Sequence, residues 1–338
     1  MTSIEREKAL HAVESVGEMF RLAPDDEPFV RAMEEASRKN TWFTRDNVLY
    51  AARQWGEALT GPNLAQWVGK HPLATQKKDI LLVLAGNIPL VGLHDILCTY
   101  LSGHRATIKP SKDDTVLISF VTDFLREAEP SLADNLRISQ DIVRQGVDAV
   151  VATGSDNTER YFEYYFRDIP ALLRHSRYSI GVVGENTTDE ELSRLTDDMM
   201  LYFGMGCRSV SKIFIPEDFD LDRLARALRK YAGVMDHTKY RNNYDYRRAM
   251  FAMAGLEGIH DTGLLLLTPQ EGLAAPLGVA GYQRYSDIKD VQLYIDRHRD
   301  ELQCVTGEGH LPFGRAQNPS LEDYADGKDT MEFLLLKD

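Results

Sequence analysis

Three apolar, β-rich runs, each closing on Gly, Pro or Ser and each followed by a helical pattern, restrict this chain to few folds. They are Leu82-Val83-Leu84-Ala85-Gly86-Asn87-Ile88-Pro89, Ala106-Thr107-Ile108-Lys109-Pro110-Ser111 and Ala149-Val150-Val151-Ala152-Thr153-Gly154-Ser155. Each reads as a strand stopped by a turn former and leading into a helix. Three such units in a row predict a parallel sheet with helices on both faces. In that architecture ligands bind off the carboxyl ends of the strands. Asn87, Lys109 and Gly154-Ser155 would all lie there. A helix begun by Gly154-Ser155 could hold a pyrophosphate through its free N–H groups and positive dipole end.

The stretch Phe203-Gly204-Met205-Gly206-Cys207-Arg208-Ser209-Val210-Ser211-Lys212 sets a cysteine between glycines and small polar residues, just before the apolar run Ile213-Phe214-Ile215-Pro216. Glycine at 204 and 206 permits a tight turn and close approach of a substrate to the sulfur. Backbone N–H groups beside the cysteine are then free to face an oxyanion instead of a sheet ladder. Cys207 is so placed to attack a carbonyl; the other reading is a small apolar residue in a buried turn.

Taken in order, these residues resemble the aldehyde dehydrogenase superfamily. Gly86-Asn87-Ile88-Pro89 resembles its Asn-containing turn, Lys109-Pro110-Ser111 its Lys-Pro cofactor motif, Thr153-Gly154-Ser155 its helix start and Gly206-Cys207 its nucleophile loop. Pro312-Phe313-Gly314 echoes a further segment. Ala-Gly-Asn-Ile-Pro-Leu, Lys-Pro-Ser and Gly-Cys-Arg-Ser-Val-Ser resemble the acyl-CoA reductase branch, related to the fatty-acid reductase of bacterial luciferase systems. The likeness spans roughly residues 78 to 330. It implies an α/β, aldehyde-dehydrogenase-like fold, with a Rossmann-type parallel-sheet cofactor domain, an α/β catalytic domain and a helical N-terminal region. The expected boundaries are 1–77 (helical region packing on the cofactor domain), 78–183 (NAD(P)-binding), 184–311 (catalytic) and 312–338 (return segment). The run 331–336 reads as a last strand, and the resemblance implies that it could pair across a homodimer.

The resemblance assigns Cys207 as nucleophile and Asn87 as the amide that donates to the developing oxyanion. Alone, Asn87 also reads as an ordinary turn residue. Lys109, Ser111, Lys112, Gly154 and Ser155 fall on the cofactor side. Many NAD-dependent relatives carry a glutamate where Lys112 stands, and a cation there suits a 2′-phosphate. NADPH is the expected cofactor, with NADH the other possibility. Lys112 beside Asp113 and Asp114 reads equally as a solvated lysine. The sequence departs from the family at Glu159, where a glycine is usual, and at Gly181, where hydrolytic members carry their general base. Without that carboxylate, hydrolysis of an acyl-cysteine should be slow unless Glu185, just past the run, supplies a substitute, whereas transfer between thiols needs less help.

The implied activity is NAD(P)H-dependent reduction of an acyl-CoA or acyl-carrier-protein thioester, fatty acyl by resemblance, to an aldehyde. The alternatives are a hydrolytic aldehyde dehydrogenase and a silent binding protein of the same fold. Composition agrees with a globular enzyme: 338 residues, 43% hydrophobic and 27% charged. A net charge of −13 argues against nucleic acid as partner. No apolar run is long enough to span a membrane. The charged start, Met1-Thr2-Ser3-Ile4-Glu5-Arg6, lacks a signal-peptide core, and three distant cysteines suit a reducing cytoplasm. Cys98 and Cys304 read as structural, and no His/Cys cluster has metal spacing. Lys239-Tyr240-Arg241-Asn242-Asn243-Tyr244-Asp245-Tyr246-Arg247-Arg248 is a basic island. It reads as a solvated helix face, or as a contact for coenzyme A phosphates or an acidic carrier protein.

Overall fold

A computed structural model describes residues 2–154 and 156–335, the side chains of 156–160 excepted. The chain divides into two compact units, Met1–Ser176 with Ser320–Asp338, and Arg177–Pro319.

The first unit opens with α1 (Ser3–Arg21), α2 (Glu27–Lys39), α3 (Arg45–Ala58) and α4 (Gly61–Gly69). Thr44 caps α3 as its sequence predicts, accepting from the Asn47 N–H at 3.3 Å. α4 opens on Gly61-Pro62. Proline is at home in a first turn, where its missing N–H has no partner to lose. Then follow β1 (Asp79–Val83), α5 (Leu93–Ser102), β2 (Arg105–Lys109), α6 (Thr115–Ala128), β3 (Leu136–Ile138), β4 (Ala149–Thr153), α7 (Asp156–Tyr165) and β5 (Ala171–Arg174). The five strands form a parallel sheet in the order β3-β2-β1-β4-β5. The chain therefore runs outward from β1 to one edge and then returns to β1's other side. The switch point falls between β1 and β4, where such sheets bind ligands.

The second unit holds β6 (Tyr178–Val182), α8 (Asp189–Met200), β7 (Val210–Pro216), α9 (Leu221–Leu228), α10 (Thr238–Ala254), β8 (His260–Asp261), β9 (Leu266–Pro269), β10 (Val279–Tyr285), α11 (Ile288–Arg297) and β11 (Leu302–Gly307). Its sheet runs β11-β6-β7-β10-β9-β8, parallel except for β8. The expected boundary at 183 would put β6 in the NAD(P)-binding domain, but β6 is a strand of this second sheet. At the sheet's centre the Lys212 ammonium is buried, bonded to the Glu271 carbonyl at 2.6 Å and the Gln283 amide oxygen at 2.8 Å. Burial lowers its pKa to about 8.

The chain ends on the first unit as α12 (Thr330–Leu334). This corrects the strand expected over 331–336, whose last residue lies outside the described residues. A short run that is apolar except for Glu332 suits a buried strand or a buried helix, and Asp329 decides it by capping the Glu332 N–H at 2.9 Å. Met331 and Leu334 then share one buried face. Arg174, at the end of β5, holds this helix through Thr330 Oγ1 at 2.7 Å and forms a buried ion pair with Asp95 at 2.5 Å. Trp67 Nε1 donates to the Tyr324 hydroxyl at 2.8 Å, and the His94 ring stacks on Trp67 at 5.2 Å. Among the described residues no helix is long and apolar enough to cross a membrane.

Removing one partner of a buried ion pair leaves an uncompensated charge, at a cost of about 3–5 kcal/mol. Asp95→Ala should therefore lower the stability of the first unit by that order in urea titration. A loss below about 1 kcal/mol, the level of an exposed pair, would show that Arg174 does not depend on Asp95.

Candidate active site

In the first unit, parallel pairing sets Val83 level with Lys109 and with Ala152. The loops after β1, β2 and β4 consequently leave one edge of the sheet side by side. That edge carries Asn87, exposed; Lys109, half-buried, with Nζ 3.1 Å from the Pro110 carbonyl; Ser111; Lys112, exposed; and Gly154. Ser155 lies outside the described residues, as do the side chains of Asp156 and Glu159.

The first two of these loops are held together by contacts not legible in sequence. Gly86 lies so close to Ser111 that an added Cβ would stand 2.5 Å from the Ser111 Cβ. Only glycine lets the two turns meet. Asp114 is buried and accepts the Leu90 N–H at 2.8 Å, fixing a residue whose φ is +60°. Burial raises the Asp114 pKa well above the usual carboxylate range. Ser111 Oγ accepts the Asp113 N–H at 3.3 Å and so caps the short turn that carries Lys112.

In the second unit, Cys207 is exposed and in no disulfide, on the turn between α8 and β7. Three consecutive residues before it are left-handed: Tyr202 (φ 54°), Phe203 (φ 59°) and Gly204 (φ 76°). For the two that are not glycine this conformation costs of order 1–3 kcal/mol each. Both are buried, and the Phe203 ring packs 4.6 Å from His237 and 5.8 Å from Tyr240. Tertiary packing thus offsets the strain.

The turn is braced from three sides. Ser209 Oγ accepts the Gly206 N–H at 3.1 Å and the Gln317 amide at 3.1 Å. Ser179 Oγ, on β6, donates to the Cys207 carbonyl at 2.9 Å and lies 3.1 Å from Cys304 Sγ. Asp198, buried on α8, accepts the Gly314 N–H at 2.8 Å and the Ala316 N–H at 2.9 Å. It thereby holds the Pro312-Phe313-Gly314 segment so that Gln317 reaches Ser209. Burial outweighs these two donors and pushes the Asp198 pKa up to about 6. Of this bracing, sequence reading finds only the Pro-Phe-Gly echo. Cys304, which reads as structural, shares Ser179 with the Cys207 turn.

The whole arrangement is that of an aldehyde-dehydrogenase-like α/β fold. A Mycobacterium tuberculosis aldehyde dehydrogenase complexed with NAD+ matches with a TM-score of 0.64 at 14% identity, over 93% of this chain and 75% of that one. A Streptococcus pyogenes succinic semialdehyde dehydrogenase in complex with NADP+ matches with a TM-score of 0.65 at 12% identity, over 94% and 80%. The profile of the acyl-CoA reductase (LuxC) family matches residues 73–257, more than half of the chain, and the chain belongs to that family. A long-chain acyl-protein thioester reductase of Photobacterium leiognathi is 27% identical over 263 residues, 69% of this chain and 54% of that protein. The chain spans about half the length of the curated relatives it matches.

Two outcomes follow from this geometry. Iodoacetamide should label Cys207 of the native protein well before Cys98 and Cys304, because burial raises both other thiols' pKa and thiolate is the reactive form. Mass mapping that finds Cys304 labelled first would contradict the placement. For Asp198, the folded carboxyl keeps its proton to about pH 6 while the unfolded one loses it near its ordinary 3.8. Its contribution to stability is complete below about pH 4 and is lost as pH rises through about 6. Each pH unit between those two values is worth about 1.4 kcal/mol, so the swing is of order 3 kcal/mol. Asp198→Asn should flatten that decline in stability. Parallel pH profiles for variant and wild type would disprove the assignment.

Proposed function

We propose that this protein reduces an acyl thioester to an aldehyde through a thioester on Cys207. The Cys207 thiolate attacks the carbonyl carbon of the substrate. The Asn87 amide and the Cys207 backbone N–H receive the oxyanion, and the substrate's own thiol is expelled. Lys109, Ser111 and Gly154 would hold a reduced nicotinamide cofactor, whose hydride chemistry would take the acyl-cysteine to a thiohemiacetal. Collapse of that adduct releases aldehyde and restores the thiolate.

The edge of the first sheet fits a nucleotide: a cation ends β2, a glycine follows β4 at the switch point, and a capped turn carries a second cation. Lys109, Ser111 and Gly154, with Ser155 beyond, would hold it. The exposed ammonium of Lys112 suits a 2′-phosphate and favours NADPH over NADH. The name of the Photobacterium leiognathi relative, a long-chain acyl-protein thioester reductase, supports a long-chain acyl group carried on a protein as one substrate.

The single observation that favours reduction over hydrolysis is the packing of Gly181. A Cβ there would lie 3.0 Å from Leu195 Cδ1 and 3.3 Å from Ile213 Cγ2. By resemblance this is the position of the base in hydrolytic relatives; it has no carboxylate, and a side chain there would require Leu195 and Ile213 to give by a few tenths of an ångström. A general base contributes about 10²–10⁴-fold to the step it serves.

Mixed with acyl-CoA and no cofactor, the protein should acquire one acyl group, on Cys207, that persists in buffer and is discharged by added coenzyme A. Addition of NADPH should yield aldehyde, and Cys207→Ala should do neither. Rapid release of free acid without coenzyme A would overturn the reading in favour of a hydrolytic dehydrogenase.

A further inference from the structure

Helix α10 and the turn after it expose an unusual run of large apolar side chains: Tyr246, Met250, Met253 and Leu256, at 55%, 43%, 84% and 55%. Tyr246, Met250 and Met253 recur at i, i+4 and i+7 and so form one stripe. Tyr240 and Tyr244 are buried and anchor the helix instead, Tyr240 by its hydroxyl to the Leu264 carbonyl at 2.9 Å. Contiguous exposed apolar surface marks an interaction site more often than chance placement. Methionine suits such a site because its side chain adapts to the surface it meets.

The charge around the stripe names its partner. α10 carries Lys239, Arg241, Arg247 and Arg248 against the single acid Asp245, in a chain of net charge −13. Arg248 is paired with Asp261 at 2.9 Å. Arg247 lies over the Tyr246 ring at 5.3 Å, beside the stripe, and Arg241 is exposed. An acidic protein is repelled by the rest of this surface and attracted here. A second copy of the chain fits less well, since a two-fold contact would set the same cations against each other. The helix also adjoins the nucleophile segment, because its start, His237 and Tyr240, packs on Phe203.

We propose that the exposed face of α10 is the docking surface for an acidic acyl-carrying protein, which delivers its thioester to Cys207. This rests on the reductase reading and specifies its substrate. The apolar stripe supplies contact area and the arginines set encounter rate and orientation.

The test compares dodecanoyl-acyl carrier protein with dodecanoyl-pantetheine and dodecanoyl-CoA as substrates of the full chain. Arg241→Glu and Met253→Glu replace exposed side chains, and circular dichroism should confirm their fold. Each should raise KM for the carrier-bound substrate about tenfold or more while leaving the pantetheine thioester unchanged. Equal effects on all three substrates, or none on the carrier, overturn the docking face. A rise confined to dodecanoyl-CoA with Arg241→Glu would make it a coenzyme phosphate contact and also overturn it. A dimer that Met253→Glu dissociates in sedimentation, with kinetics unchanged, would assign the stripe to a second copy. If wild type reduces none of the thioesters, the reductase reading falls. Direct titration of the acylated carrier then judges the surface: lost binding in both variants sustains it, and retained binding removes it.

Discussion

The two hydrogen bonds that the buried Asp198 accepts from Gly314 and Ala316 reach furthest into the candidate chemistry of the second unit. A turn that presents a nucleophile must leave backbone donors outside any ladder, so something else has to fix its shape. Here the fixing runs from Asp198 to the segment around Gly314, from Gln317 to Ser209, and from Ser209 to the N–H of Gly206, next to Cys207. The first unit repeats the device, with Asp114 buried beneath the Asn87 loop and bonded to Leu90. In both places a carboxyl is taken out of water to order a loop, and in both its pKa rises in consequence. Such buried acceptors are costly to disturb, since removing one strands its donors without water.

What the sequence shows and hides follows from range. β1, β4 and β7 are legible because each is a largely buried run of five to seven residues, and β2 because its apolar centre Ala106-Thr107-Ile108 closes on Lys109-Pro110. β3 and β5 span three and four residues and carry arginines, too short and mixed to signal a strand. α12 reads as a strand because apolar continuity does not distinguish a buried strand from a buried helix, and its deciding cap is one aspartate outside the run. The site residues are legible as motifs. Their supports are not, because Asp198 meets Gly314 and Ser209 meets Gln317 across more than a hundred residues.

The same distinction sorts the three cysteines. Sequence separates Cys207 from the others by its glycines, and the structure by exposure. Cys304 is the informative case, because its neighbour Ser179 also bonds the Cys207 carbonyl. β6 thus contributes to the nucleophile turn at Ser179 and, two residues on, packs Gly181 tightly against Leu195. Support for the Cys207 turn and the close packing at Gly181 come from one short strand. A carboxylate placed at Gly181, two residues along the same strand from Ser179, would press on Leu195 and Ile213.

The left-handed run at Tyr202 and Phe203 links these observations. Non-glycine residues hold such a conformation only where surroundings over-determine it. For Phe203 those surroundings include the rings of His237 and Tyr240 at the start of α10. Packing of that helix is therefore a condition for the geometry of the nucleophile turn, whatever binds its outer face. A partner that rigidified α10 would rigidify Phe203, and a nucleophile held closer to its attacking geometry reacts faster for entropic reasons. Docking and catalysis would then be coupled through two aromatic contacts, with no requirement for any movement of the sheet.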